Sequence, residues 1–330
     1  MAILITGGTG FVGSAVVRRV LALDQPVRVL VRATSDRRNL DDLPVCLVEG
    51  DLTDRASLDR ALSGCSGLFH VAADYRLWAR NPEEIYRHNV DGTVALLKAA
   101  AHAGVKRIVY TSSVATLKAG EDGSIADENT PVSFDDMIGT YKRSKFRAEQ
   151  AVQKMITESC LPVVIVNPST PVGPRDIKPT PTGQLVLNAA AGRMPAFVDT
   201  GLNIVHVDDV AQGHVQAFEH GKIGERYILG GDNLSLQEIL HCIATIMNHK
   251  APRYRIPHKV GMFIAALVET WAKVFRVSNL MITRDGIRMA KKKMYFSSAK
   301  AEKELGYTHQ PAEQGLRDAI EWYRNHGYLD

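Results

Sequence analysis

The chain has 330 residues, 45% of them hydrophobic and 23% charged, which predicts a globular protein of one large or two moderate domains. The formal net charge is only +4, from 40 basic and 36 acidic residues without a dominant run. This balance gives no indication of nucleic-acid binding.

The cysteines and the apolar runs indicate the compartment. The four cysteines lie far apart, without a Cys-x2-Cys pair, so they are read as reduced packing residues and not as zinc ligands or disulfides. The chain enters an apolar strand without a basic leader, and no uninterrupted apolar run is long enough to span a bilayer. We therefore expect a cytoplasmic protein that is neither exported nor transmembrane.

The first motif is a strand, a glycine turn and a helix. The apolar run Ala2–Thr6 is followed by glycines at three-residue intervals and by a helical pattern to about Ala22. Glycines allow a tight turn and close approach to a pyrophosphate, and the helix N-terminus offers free N–H groups. We interpret this as a dinucleotide site; the alternative is an ordinary glycine turn. The loop residues expected at the cofactor are Gly7, Gly10, Phe11, Val12 and Gly13.

A second strand, Val27–Val31, ends in Arg32, about twenty residues past the glycine loop. NAD-selective folds usually carry an acid at this position, for the ribose 2′-hydroxyl. A basic residue, with Arg37 and Arg38 close behind it, favours NADP over NAD. The alternative is a solvated loop of charges.

The third and fourth strands, Val45–Val48 and Leu68–Val71, are followed by further candidate cofactor residues. Asp51 is expected to accept from the adenine amino group, to cap the next helix, or both. The small residues after the fourth strand leave room for a cofactor. The candidates in these two segments are Asp51, Leu52, Ala72 and Ala73.

A helix is predicted from Asn81 and Pro82 to about His102, with Asn89 inside it. An asparagine in mid-helix is usually at the surface. Alternatively, Asn89 binds the backbone across a kink and holds the active-site loop.

The fifth strand, Arg107–Thr111, is followed by Ser112 and Ser113. In a parallel sheet, ligands lie outside the carboxyl ends of the strands, so both hydroxyls should face the same crevice as the glycine loop. Tyr141 and Lys145 share one face of the next predicted helix. A neighbouring ammonium would lower the pKa of the phenol and bring its proton within catalytic reach, although such a pair is often only a solvated one.

The second half of the chain begins after a sixth strand, Val163–Val166, with a long loop rich in proline and glycine where the substrate region should start. Asn203–Val207 is predicted to return to the sheet, and Asp208 to cap a helix from Val210 to about His220. These cap and core roles explain the acids and histidines at 206–214 better than a metal site does.

An unusually apolar stretch, Val260–Val277, is followed by a basic segment. One interpretation is a membrane-surface patch that admits a lipid-linked substrate. The other is a helix of the substrate lobe with solvated basic neighbours. The basic residues are Arg284, Arg288 and Lys291 to Lys293.

Taken together, the motifs resemble the extended short-chain dehydrogenase/reductase family, which includes nucleotide-sugar epimerases, dehydratases and dihydroflavonol 4-reductase-like enzymes. Arg32 and the segment 167–183 are most similar to the reductase-like branch, in particular to the bacterial hopanoid-associated sugar epimerase group. The motifs are GGTGFVG at 7–13, GDL at 50–52, HVAA at 70–73, HNVDGT at 88–93, YTSS at 110–113, YKRSK at 141–145, NPSTPVGPRD at 167–176 and HVDDVA at 206–211.

The resemblance implies an α/β fold, a doubly wound Rossmann sheet with a smaller C-terminal substrate-binding lobe. We expect residues 1–175 to form the NADP-binding domain, with its sheet completed by 202–220, and 176–330 to form mainly the substrate lobe. It also implies a homodimer in which the helices near 82–102 and 139–158 pack across a two-fold axis.

The resemblance assigns roles as well. Ser113, Tyr141 and Lys145 correspond to the catalytic residues: Tyr141 gives the proton, Ser113 binds the same substrate oxygen, and Lys145 biases Tyr141 and binds the nicotinamide ribose. Asn89, Thr111 and Pro168 join the cofactor-binding set. Ser112 and Arg175 are candidate substrate residues.

The leading hypothesis is an NADP(H)-dependent carbonyl reductase or alcohol dehydrogenase, acting on a polyol, sugar-derived or hopanoid-linked substrate. One alternative is a nucleotide-sugar 4-epimerase that retains NAD, which Arg32 opposes. Another is a nucleotide-sensing protein without catalysis, which would be expected to lose Tyr141 or Lys145.

Overall fold

The computed structural model describes residues 2–76, 81–120, 123–275 and 284–329, without the side chains of 271–275. Its strands are β1 Ala2–Thr6, β2 Val27–Val31, β3 Cys46–Glu49, β4 Cys65–His70, β5 Arg107–Thr111, β6 Val163–Pro168, β7 Thr170–Val172, β8 Ala196–Val198, β9 Gly201–His206, β10 Arg226–Leu229, β11 Asp232–Ser235 and β12 Tyr254–Ile256. Its helices are α1 Phe11–Leu21, α2 Arg55–Leu62, α3 Pro82–Tyr86, α4 Gly92–His102, α5 Gly139–Ser159, α6 Pro181–Ala190, α7 Val207–His220, α8 Leu236–Ile246, α9 His258–Phe275, α10 Arg284–Ala290, α11 Ala299–Leu305 and α12 Ala312–Asn325.

The central sheet of the described chain has seven parallel strands in the order β10-β6-β5-β4-β1-β2-β3. Strands β1, β5 and β6 are almost continuously apolar because both faces of the sheet are covered. Helices α1 and α7 pack on one face, and α2, α4 and α5 on the other. This is the predicted doubly wound fold, and its strand order reverses between β1 and β4, where ligands bind in such sheets.

The seventh strand is not the predicted one. The segment 202–220 was expected to complete the sheet, but β9 instead pairs parallel with β7 and antiparallel with β11 in a separate three-stranded sheet. Helix α7 crosses the face of the central sheet, and the strand that follows it, β10, pairs with β6. A parallel neighbour requires such a crossover, so the strand after the helix completes the sheet.

Two predicted helix caps are also wrong. Helix α7 begins three residues earlier than expected, and its cap is His206, whose Nδ1 accepts from the N–H of Asp208 at 3.0 Å. Helix α2 is capped by Asp54 and not by Asp51. In both cases the helix starts at a different residue from the one that its apolar pattern suggested.

The rest of the second half forms a smaller lobe around α6, α8 and α12. Helix α9 packs against α10 and exposes Val260, Phe263 and Leu267. The end of the predicted apolar stretch, from residue 276, lies outside the described residues. Across the part of the chain that the structure describes, no helix has both the length and the apolarity to cross a membrane.

Candidate functional site

A cavity of about 1050 Å³ runs along the carboxyl ends of the central strands and reaches α10 in the second lobe. It brings together the glycine loop, the end of β2, the serines after β5 and the start of α5. Most of the residues predicted from the sequence line it. They are Gly7, Gly10, Phe11, Val12, Gly13, Arg32, Asp51, Leu52, Ala72, Ala73, Thr111, Ser112, Ser113, Tyr141 and Pro168.

The glycine loop forms a cradle that side chains would fill. Gly7 has a φ of +73°, and a Cβ atom there would lie 2.6 Å from the backbone nitrogen of Ala72. A Cβ on Gly13 would overlap the carbonyl oxygen of Gly7. Gly10 is the N-cap of α1, whose first turn contains no acidic residue, so its N–H groups suit a phosphate. The cradle therefore fits a dinucleotide pyrophosphate.

A buried histidine fixes the segment after β4. Thr93 donates its hydroxyl proton to the carbonyl of Asn89 at 2.7 Å, so its Oγ1 accepts from His70 Nε2 at 2.9 Å. The Nδ1 of the neutral ring is then an acceptor for the Thr6 hydroxyl at 2.8 Å, and Thr6 Oγ1 in turn accepts from the N–H of Ala72 at 3.3 Å. Burial, with a contribution from the charge of Lys145, lowers the pKa of His70 to about 3. The sequence analysis gave this neutral histidine no role, although it begins the HVAA motif.

Asn89 lies in a π-helical turn, 87–91, between α3 and α4. Its Oδ1 accepts from the N–H of Asp74 at 2.7 Å, and its Nδ2 donates to the carbonyl of Asp74 at 3.0 Å and to Ser144 Oγ at 2.9 Å. Asn89 therefore binds the backbone across a helix distortion, one of the two alternatives considered. The expected direct cofactor contact is corrected: Asn89 is buried and does not line the cavity.

The catalytic candidates converge at the end of β5. Ser113 and Tyr141 both line the cavity, and the Ser113 hydroxyl is near enough to lower the pKa of Tyr141. Lys145, on the same face of α5 as Tyr141, donates from Nζ to the carbonyl of Thr111 at 2.9 Å and to the hydroxyl of Tyr110 at 3.2 Å. Lys145 does not itself line the cavity; it lies one helical turn after Tyr141, which does.

Burial controls the ionisation of this group. It lowers the pKa of Lys145 to about 8, against the opposing charge of Glu149. It also raises the pKa of Tyr141, although the nearby Ser113 hydroxyl opposes the rise. The expectation that the ammonium dominates and lowers the pKa of Tyr141 is thus corrected for this structure. Tyr141 holds its proton at neutral pH, as a proton donor must.

Glu149 is a buried carboxylate that binds the hydroxyl of Ser112, and the sequence analysis did not identify it. Its carboxylate accepts from Ser112, from Thr116 at 2.8 Å and from Asn167 Nδ2 at 3.0 Å, and it pairs with Arg226 at 3.2 Å. Ser112 lines the cavity, but its hydroxyl is engaged in this buried network. Spacing could have identified Glu149, because it lies four residues after Lys145 on the same helix face.

The opposite end of the cavity carries the charges after β2 and β3. Arg32 is exposed at the cavity edge and makes no ion pair with a described residue. Burial raises the pKa of Asp51, but hydrogen bonds from Thr53 and the charge of Arg32 outweigh it and lower the value. Arg38 pairs with Asp36 at 2.7 Å, and this bond lowers the pKa of Asp36 to about 2. Arg37 and Arg38 do not line the cavity, so among the described residues Arg32 is the arginine of this loop that is placed for a ligand.

Arg175 is not in the predicted place. Its guanidinium pairs with Asp208, and it does not line the cavity. Its φ is +75°, and its carbonyl accepts from Asn39 Nδ2 at 3.1 Å, which also donates to the carbonyl of Thr9 at 3.2 Å. The backbone at Arg175 is thus tied through Asn39 to the glycine loop, and the Arg175 side chain does not line the substrate space.

Other residues of the same motif do line the substrate half. Ser169 has a buried hydroxyl that finds no hydrogen-bond partner among the described residues. Asp176 accepts from Thr180 at 2.8 Å and from the hydroxyl of Tyr323 at 3.1 Å, and burial raises its pKa. Both lie within NPSTPVGPRD, but their orientation depends on the turn after β6, which the motif alone did not show. Lys142 and Met294 also line this half.

These observations define a class of protein. A parallel sheet with a glycine cradle at its switch point and a serine, tyrosine and lysine group beside it is the site of a nicotinamide-dependent Rossmann enzyme. Residues 3–230 match the NAD dependent epimerase/dehydratase family, and the chain belongs to this family.

Full-length relatives agree with this assignment. A protein of Synechocystis sp. that is provisionally named a dihydroflavonol 4-reductase is 45% identical over 330 residues, 98% of this chain and 95% of its own. Sterol demethylase protein B of Methylococcus capsulatus is 34% identical over 332 residues, covering 100% of both chains. The crystal structure of gox2253 is 52% identical, with a TM-score of 0.90 over 100% of this chain and 99% of the other.

Proposed function

We propose that the protein is an NADP(H)-dependent oxidoreductase that interconverts a carbonyl and an alcohol on a sugar-derived, polyol or hopanoid-linked substrate. The observation that carries this proposal is the convergence of Ser113 and Tyr141 at the cavity wall, with Lys145 one turn after Tyr141 on α5 and bonded to the end of β5. At the other end, the unpaired Arg32 favours a 2′-phosphate.

The residues divide the chemistry between them. A nicotinamide supplies or accepts the hydride when it is bound. Tyr141 gives a proton to the carbonyl oxygen as negative charge develops there, and Ser113 hydrogen-bonds the same oxygen. Lys145 is held by the carbonyl of Thr111 at 2.9 Å, one helical turn after Tyr141, and in the proposed mechanism its positive charge assists the phenol. In the alcohol-oxidising direction Tyr141 takes the proton back.

The lining of the substrate half supports an amphiphilic substrate. Hydroxyls of Ser169 and Thr180 lie on one side, and the second lobe adds apolar side chains. One full-length relative is named for sterol demethylation, which agrees with a terpenoid skeleton. The apolar lining residues are Leu185, Leu202, Met289 and Met294.

The experiment is deuteride transfer. NADPH labelled at either face of C4 is incubated with a panel of sugar-derived, polyol and terpenoid carbonyl compounds, and deuterium in the alcohol product is measured by mass spectrometry. We expect transfer from one face, and a fall in kcat of about 10²- to 10⁴-fold in Tyr141→Phe, because the proton donor is lost. Tyr86→Phe, outside the cavity, is the matched control and should retain activity.

Two results would contradict the proposal. One is stoichiometric NAD that stays bound through purification, which would indicate an epimerase that recycles its hydride. The other is deuteride transfer by Tyr141→Phe at the wild-type rate.

A further inference from the structure

Lys142 is a lysine of the substrate half that the proposed chemistry does not use. It follows Tyr141 directly in the first turn of α5, is partly buried and lines the cavity. Its Nζ lies 4.0 Å from the thioether sulfur of Met294. Among the residues that the structure describes, Lys142 makes no ion pair.

The surroundings of Lys142 are positive and apolar. Burial, reinforced by the charge of Lys292, lowers its pKa to about 8. A shielded cation without a counter-ion is costly, and a ligand anion would remove that cost. Other shielded cations of the described chain are matched by acceptors: Arg175 pairs with Asp208 and Arg226 with Glu149, while Lys145 donates to the carbonyl of Thr111 and to the hydroxyl of Tyr110.

The position of Lys142 separates it from the cofactor end of the cavity. Tyr141 is beside the end of β5, whereas Arg32 follows β2, and β4 and β1 lie between these two strands. Three inter-strand steps amount to about 14 Å. An anion at Lys142 is therefore a group of the substrate and not the 2′-phosphate that Arg32 is proposed to bind.

We propose that Lys142 binds an anionic group of the substrate, a carboxylate or a phosphate, and that the natural substrate is an anionic carbonyl compound or the corresponding alcohol. This inference rests on the proposed function, because it names the substrate class of the same site. Lys142 sets specificity, while Tyr141 and Ser113 remain the residues at the reacting carbonyl.

The first test compares matched substrates. Reduction by NADPH is measured for 2-, 3- and 4-carboxybenzaldehyde, for the methyl ester of each, and for 4-formylphenyl phosphate, which distinguishes phosphate from carboxylate. A charge-assisted hydrogen bond predicts a preference of about 10- to 100-fold in kcat/KM for at least one anion, mainly through KM. Lys142→Met should abolish that preference, and Lys154→Met, an exposed lysine of the same helix, should keep it. An equal loss on the anion and its ester overturns the proposal.

The second test needs no turnover, so it separates this inference from the redox function. The protein is labelled with [methyl-¹³C]methionine, the Met294 resonance is assigned with Met294→Leu, and benzoate, benzyl phosphate and benzamide are titrated in the presence of NADP⁺. We expect a saturable shift of the Met294 resonance with an anion only, which disappears in Lys142→Met. If neither anion shifts it, or if benzamide shifts it equally, the proposal is wrong, whatever the deuteride experiment shows.

Discussion

Arg32 is the residue that bears most directly on the choice of cofactor. It stands at the cavity edge without an ion pair to a described residue, while its neighbour Arg38 is engaged with Asp36. Position in the sequence predicted Arg32 as the cofactor residue, with Arg37 and Arg38 as possible additional contacts of the same loop. Only the folded loop distinguishes them, because their contacts depend on the turn after β2.

Reversing the charge at Arg32 should reverse the cofactor preference. In Arg32→Glu a 2′-phosphate meets repulsion and a ribose 2′-hydroxyl gains an acceptor, so we expect NADPH affinity to fall about 10- to 100-fold and NADH affinity to rise. Isothermal titration calorimetry with both nucleotides measures this without a substrate. Arg37→Glu, which changes the same net charge outside the cavity, is the control. An unchanged affinity ratio in Arg32→Glu would argue against NADP.

Other properties of the site residues lay beyond sequence reasoning. The spacing of Tyr141 and Lys145 was enough to place them on one helix face, because helix geometry is local. The direction of the pKa shift at Tyr141 was predicted wrongly, because it is set by burial under residues distant in the sequence. Arg175 was misplaced for a similar reason: its partner Asp208 is 33 residues away along the chain.

At the scale of elements, the π-helical turn between α3 and α4 distinguishes the observed helix from the predicted one and sets the direction of Asn89. The sequence indicated one helix to His102, and the helix does end there. The wider turn carries Asn89 inward, where both backbone groups of Asp74 meet its amide. Such turns are frequent at functional sites, but no local residue pattern of this chain predicted it.

Removing the Asn89 amide should loosen the segment at Asp74. In Asn89→Ala the partly buried N–H and C=O of Asp74 lose their partner, which predicts a loss of about 1–3 kcal/mol in the free energy of unfolding and faster hydrogen exchange at the Asp74 amide. Urea unfolding and exchange mass spectrometry measure the two effects. Asn129→Ala, at an exposed position, should change neither. Wild-type exchange at Asp74 in Asn89→Ala would show that the amide does not hold this segment.

At the scale of the whole molecule, buried histidines and lysines make the free energy of unfolding depend on pH. Burial lowers the pKa of His70 to about 3 and of His214 to about 4, from an ordinary 6.5. Between these values the unfolded chain binds more protons than the folded one, so stability is lost as the pH falls below 6.5. Lys142 and Lys145 change the stability in the same direction at higher pH. Their pKa values are near 8 in the folded chain and 10.5 in the unfolded chain, so both lysines increase the stability as the pH rises from 8 to 10.5.

Urea unfolding at a series of pH values checks this prediction. We expect the free energy of unfolding to fall below pH 6.5, with each buried histidine contributing up to about 1.4 kcal/mol per pH unit. Carboxyl groups also titrate there, so His70→Gln, whose amide does not titrate, isolates the His70 contribution. The variant should be less stable at pH 7 but have a shallower slope between pH 6.5 and 5. An identical slope would contradict the assignment of a neutral His70 in the folded chain.

The architecture as a whole was more predictable than the strand that completes the central sheet next to β6. Six strands of the central sheet were anticipated from apolar runs, and β1, β2 and β5 have their predicted bounds. The prediction of the seventh strand was wrong, because pairing between segments that are distant in the sequence leaves little local signal. The division at residue 175, the homodimer and a contact of α9 with a membrane surface stay predictions.

The position of β10 affects how the chain can be synthesised. Residues 169–225, which include most of the substrate half up to α7, separate β6 from the strand that covers its edge. On a ribosome the nucleotide-binding sheet therefore keeps an open edge at β6 until residue 229 has emerged, and an open edge invites aberrant pairing. The nucleotide-binding sheet is thus complete only after much of the substrate half has been synthesised, and Met289 and Met294 of that half follow later still.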